Sequence, residues 1–198
     1  MATTGVNARG LWPVRRLDGQ PPAAARKYDT GSNIRILMLG DPVFLDTNRR
    51  VQRYDAQYTS ANGPAVLGVI VGLLNVDGRP LTHVTEKQIA VSASGAVLVI
   101  DDPGTVFEGE ILASVGTLQT GQFCTIATGT RVTANGNSGV RLASPVVTAA
   151  GHPFQILGLA PTELDRAGAS ANNILVRISN HVFNRSTRLV GPVEAADA

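Results

Sequence analysis

Apolar residues in this chain come in short runs rich in Val, Ile and Leu, each stopped within a few positions by glycine, proline or paired acidic residues. Ile34-Arg35-Ile36-Leu37-Met38-Leu39 ends at Gly40-Asp41-Pro42, and Val43-Phe44-Leu45 then resumes, giving two strands or one bent strand. Ala96-Val97-Leu98-Val99-Ile100 ends at Asp101-Asp102-Pro103-Gly104, and Val106-Phe107-Glu108-Gly109-Glu110-Ile111-Leu112 follows with partial alternation. Runs of this length and makeup between turn formers read as strands. The 21 glycines and 11 prolines are spread along the whole chain and supply the turns, so long helices are not expected. Aromatics are only 5% of the residues, and small branched side chains of the kind that pack between sheets carry the core instead. The expected fold class is all-β, a single β-sandwich or barrel-like domain. A chain of 198 residues is long enough to bury roughly 70% of its unfolded surface in such a core.

Further strands follow from the same reasoning. Ala65 to Leu74 reads as a buried strand running into a tight turn, with Asp77-Gly78 supplying the positive-φ residues of a hairpin. Arg49-Arg50-Val51-Gln52-Arg53-Tyr54 reads as an exposed strand whose charges discourage edge pairing. Phe154 to Leu159 and Ile174 to Val182 read as two late strands, the second alternating so that Leu175 and Arg177 face away from Ile174, Val176 and Ile178. Pro161 to Asn173 reads as a surface loop. Residues 113–135 are rich in Gly and Thr and fit a short helix or a loop with one strand. No fixed-period repeat is present, which argues against a solenoid.

Residues 1–30 have neither a period of two nor one of 3.6, and contain Pro13, Pro21, Pro22 and Ala23-Ala24-Ala25. The organisation expected is an extended basic N-terminal arm over 1–30, a β-rich domain over 31–190 and a frayed tail over 191–198. The arm carries Arg9, Arg15, Arg16, Arg26 and Lys27 against Asp18 and Asp29, a balance of +3 in a chain whose net charge is +2. It could dock on an acidic protein surface or on phosphates, or stay solvated. Nucleic acid is not the expected partner, because the cations are few and no aromatics interleave them. Trp12 is either an anchor into a partner or a ring folded back onto its own domain. Removing residues 1–28 is expected to leave the domain folded.

The lone Cys124 can form no internal disulfide, which fits assembly in a reducing cytoplasm. No apolar segment follows the N-terminus to act as a secretory signal, and Ala65–Leu74 is far too short to cross a membrane. His83, His152 and His181 show no metal-ligand spacing, so neither a metal nor a cofactor is expected. Asp101-Asp102 offers two hard oxygen ligands, but turn capping explains the pair better. One catalytic pattern is present: Gly136-Asn137-Ser138-Gly139 resembles the nucleophile turn of trypsin-like proteases, with His83 and Asp101 or Asp102 preceding it in order. Only 55 residues separate His83 from Ser138, and Val140 stands where that family has a glycine, so a serine hydrolase is the remote alternative and a plain turn at Asn135-Gly136 the main one.

Three stretches, Ala96–Glu108, Gln155–Leu159 and Asn173–His181, resemble a spaced series in the capsid cement (decoration) proteins of tailed bacteriophages. The likeness spans residues 65–183 and leaves out the basic arm. It implies a non-enzymatic virion protein on the outer surface of the phage head, partnered by the major capsid protein and by itself, as a homotrimer or a homodimer. On this reading the capsid-contact candidates are Arg9, Trp12, Arg15, Arg16, Arg26 and Lys27. Another virion component, a head fibre base or tail adaptor, is the alternative.

Overall fold

The computed structural model describes residues 10–31, 35–58, 63–81, 88–90, 93–112, 120–128, 138–143, 145–147, 152–161 and 172–184. Every regular element among them is a strand or a short 3-10 turn. The strands are β1 (Trp12–Arg16), β2 (Arg26–Asp29), β3 (Leu37–Met38), β4 (Pro42–Leu45), β5 (Val51–Arg53), β6 (Gly68–Leu74), β7 (Gln88–Ile89), β8 (Ala96–Ile100), β9 (Thr105–Ile111), β10 (Phe123–Cys124), β11 (Ile126–Thr128), β12 (Val140–Leu142), β13 (Phe154–Leu159) and β14 (Asn172–Ile178). The all-β expectation holds.

The larger sheet runs β10-β13-β14-β9-β12-β11, with β1 also paired to β9. Its two end strands are consecutive in the chain, β10 stopping at Cys124 and β11 starting at Ile126, so the sheet curls into a nearly closed barrel with Thr125 at the seam. The smaller sheet runs β2-β8-β6-β4-β5, and β3 and β7 form a separate ribbon. Phe107, Ile111, Phe154, Ile156, Ile174, Val176 and Ile178 of the barrel pack with Phe44, Val66, Val69 and Ile100 of the smaller sheet in one core. On the far side of that sheet, Val43, Leu67, Ile70, Val97 and Val99 pack against Leu37 and Ile89 of the ribbon. Strands β6 and β8 are thus covered on both faces, which is why their sequences are continuously apolar instead of alternating.

β14 alternates as expected: Ile174, Val176 and Ile178 point into the core, while Leu175 joins Val106 and Ala160 in a small cluster on the opposite face. The Asp77-Gly78 turn forms with Gly78 at φ 78°, and among the described residues the returning chain pairs with β6 through the Leu74–Pro80 bridge. In the region left open, β10 and β11 are strands. Two expectations need correction. β5 is an edge strand, but Val51 is fully buried, Gln52 nearly so, and Arg53 turns to Asp55 at 2.5 Å. The charged run is therefore only partly exposed, because one face of β5 closes the core against the ribbon.

The larger correction concerns the N-terminal arm. Residues 10–30 do not stand off the domain: β1 pairs antiparallel with β9, and β2 pairs antiparallel with β8. Gly10, at φ 81°, leads the chain inward, where an added Cβ would lie 2.3 Å from Ser138 Oγ and 2.5 Å from the Gly40 carbonyl oxygen. Leu11 follows at 1% exposure, inside the main core. The segment is extended, as read, but it is a structural part of both sheets, and removing it takes a strand from each. Residues 1–9 and 191–198, including Arg9, lie outside the described residues.

Cys124 is fully buried in the main core, and burial pushes its thiol up to about 12. Since the thiolate is the reactive form, we expect a maleimide at pH 7.5 to leave the native protein unlabelled and to modify Cys124 quickly once urea unfolds it. Rapid labelling of the native state, measured by intact mass, would contradict this burial.

Candidate interaction surface

The outward face of β1 is where exposed apolar and cationic side chains meet. Trp12 lies opposite Glu108, and Pro13 opposite Phe107, which points into the core. Directly paired residues share a face, so Trp12 and Glu108 point out. Without interruption, Arg15 would point in with Pro13. The register shifts between Pro13 and Arg15, however, and Arg15 pairs with Val106 on the outer face. Val14 is the extra residue, and a bulge of this kind re-aims the side chains beyond it. Trp12, Val14 and Arg15 consequently stand together on the outside, Trp12 at 54% and Val14 at 41% exposure, with Leu17 at 48% just beyond the strand. The Arg15 side chain makes no hydrogen bond or ion pair among the described residues, whereas Arg177 across β9 donates from Nε to Gln155 Oε1 at 2.7 Å.

The other candidates are divided between two strands. Arg16 ends β1 with Nε 3.1 Å from Asp102 Oδ2 and Nη2 3.7 Å from Asp18 Oδ2. Arg26 and Lys27 lie on β2, the edge of the smaller sheet, where the Arg26 guanidinium sits 3.4 Å from Asp101 Oδ2. Tyr28 donates to the same oxygen at 2.5 Å, and burial, with help from that hydrogen bond and the charge of Asp101, pushes the phenol up to about 12. The structure thus brings Trp12, Arg15 and Arg16 onto one strand and leaves Arg26 and Lys27 on another. Lys27 is exposed and, like Arg15, makes no ion pair among the described residues.

Sequence reasoning missed the part played by Asp101 and Asp102. The pair sits in the turn from β8 to β9, which crosses between the sheets, and each carboxylate holds one N-terminal strand: Asp102 through Arg16, Asp101 through Tyr28 and Arg26. Asp102 also caps its turn, with Oδ1 accepting the Gly104 N–H at 3.3 Å, as turn chemistry predicts. The exposed ion pair Arg16–Asp102 contributes about 0.2–1 kcal/mol, and the bond to the buried Asp101 carboxylate about 1.5–3 kcal/mol.

The remaining sequence candidates can be placed as follows. Ser138 is fully buried, and its Oγ accepts the Val140 N–H at 3.1 Å against Gly10, the geometry of a side-chain turn instead of a presented nucleophile. His83 lies outside the described residues. Among the described residues no three His, Cys, Asp or Glu side chains gather as a metal site, and no helix is long and apolar enough to cross a membrane. Glu110 pairs with Arg141 at 3.2 Å.

Set against known protein families, curated proteins and solved structures, the chain matches none.

Proposed function

We propose that this protein is a capsid cement protein, which binds the outer surface of a tailed-phage head and stabilises it by bridging neighbouring capsid subunits. The observation that carries the reading is the exposed strip Trp12, Val14 and Arg15, with Leu17 just beyond it, on a strand held by its pairing to β9 and by the buried Leu11. An aromatic anchor beside an arginine with no ion pair among the described residues is the composition of an interface centre, and a strand already seated in a sheet presents it at little ordering cost. The likeness to decoration proteins adds to this, since its three stretches fall on β8–β9, β13 and β14, of which β9, β13 and β14 are neighbours in the barrel sheet. On this reading the protein acts without chemistry, and Arg26 and Lys27 on β2 provide a second, cationic contact. Copies assemble with each other around a symmetry axis of the head, a trimer at a threefold junction being the simplest arrangement.

The test is co-sedimentation of the purified protein with expanded heads that lack it, counting bound copies per major capsid subunit. Saturation at a fixed ratio compatible with the head's symmetry is expected, and absence of binding would overturn the reading. Trp12→Ala should weaken that binding by about 30-fold, the effect of losing about 2 kcal/mol at an interface hot spot. Because the Trp12 ring is half-exposed, its removal should move the melting temperature by no more than a few degrees. Unchanged binding by the variant would remove Trp12 from the contact.

A further inference from the structure

Just beyond β14 the chain leaves the barrel and touches the smaller sheet. The Val66 N–H donates to the Asn180 carbonyl at 2.9 Å, and the Val182 N–H donates to the Val66 carbonyl at 3.0 Å. His181 lies between these two bonds, 1% exposed, and a 3-10 turn, Val182–Asn184, begins immediately after it. His181 is the N-cap of that turn: its Nδ1 accepts the Phe183 N–H at 3.0 Å, and the two rings pack at 5.5 Å. Val182 meanwhile packs against the core beneath the ribbon.

An imidazole can cap a turn only while neutral. Nδ1 accepts, so the proton must sit on Nε2, which is buried beside the Leu67 carbonyl without a well-formed hydrogen bond. Protonation turns Nδ1 into a donor facing the Phe183 donor, and it places a cation in a site buried from solvent. Asp101 and Asp102 are the charged groups that face His181, from the β8–β9 turn. Each is already engaged by a guanidinium, Asp101 by Arg26 and Asp102 by Arg16, so neither is a free counter-charge. Val66 and Leu67, on the other side, bring no titratable side chain.

We propose that His181 is an acid-released latch: its neutral ring fastens residues 181–184 to Val66, and its protonation frees them. Burial lowers the affinity of the closed ring for a proton, outweighing the opposite pull of Asp101 and Asp102. The sign follows. Above about pH 6.5 both forms are neutral and the latch is unaffected by pH. Below it the open form takes up a proton that the closed form does not, so opening gains up to tenfold for each pH unit until the closed form itself titrates.

The test is hydrogen exchange of the full-length protein by NMR from pH 7.5 to 5.0, with rates corrected for the intrinsic pH dependence. Protection at Val182 and Phe183 should fall by up to tenfold per pH unit below about 6.5, with Val69 and Val176 unchanged. His181→Asn, whose side-chain oxygen can cap at any pH, should show constant protection. Constant protection in the wild type, or the same fall in His181→Asn, would overturn the proposal. Should the variant fail to fold, the wild-type ring decides: a His181 resonance that titrates at or above 6.5 while Phe183 stays protected also sinks the latch.

Discussion

A chain lacking residues 1–28 should show no cooperative unfolding transition in urea or on heating. The deletion takes away all of β1, most of β2 and the buried Leu11, whose side chain alone accounts for about 1.5–3 kcal/mol. It also leaves Asp101 buried without Tyr28 or Arg26, an unpaired charge that costs several kcal/mol more. The summed loss is comparable to the ~5–15 kcal/mol that holds a whole domain. Circular dichroism through a denaturant series gives the answer. A sigmoidal transition with an unchanged slope would mean that the two sheets stand without their N-terminal strands.

The second large effect is at Phe107. Its ring is fully buried, on a strand that β1 flanks on one side and β14 on the other, where Pro13 and Val176 are its register partners. Phe107→Ala removes most of that ring from the packed core and should cost about 3–5 kcal/mol. With a urea slope of ~1–3 kcal/mol/M, the midpoint should fall by roughly 1–5 M. The adjacent Glu108→Ala, on the outward face, should shift stability by no more than about 0.5 kcal/mol. Equal effects at the two positions would mean that the strand faces are reversed.

The strands legible in the sequence are those whose burial leaves a pattern. β14 turns Ile174, Val176 and Ile178 into the main core and Leu175 and Arg177 to the other face, and so alternates. β8 is buried on both faces and so is unbroken Ala, Val, Leu and Ile. β1 has neither mark, because it is held by its backbone pairing to β9 and by Leu11 just before it, while the strand itself turns mostly outward. Its Pro13 and the Pro21-Pro22 that follow reinforced the impression of a free arm. The candidate surface was half visible for the same reason: the residue types of Trp12 and Arg15 stood out, but only the bulge at Val14 shows that they share a face. Arg16 and Arg26 read as loose cations because Asp102 and Asp101, which tie them to the β8–β9 turn, are distant in sequence; Tyr28, which shares Asp101 with Arg26, is 73 positions from it. No local rule connects residues so separated; the crossing from β8 to β9 does.

The pairing of β1 with β9 and of β2 with β8 also fixes an order of events during synthesis. Residues 10–30 leave the ribosome ahead of their sheet neighbours, spanning Ala96 to Glu108, which are translated some 70 to 95 residues later. At ~5–20 residues per second the nascent segment waits on the order of 4–20 s, with Leu11 and Trp12 both in water. Over that interval it is open to capture by chaperones or by another chain. β1 and β2 therefore cannot be seated before β8 and β9 have been made.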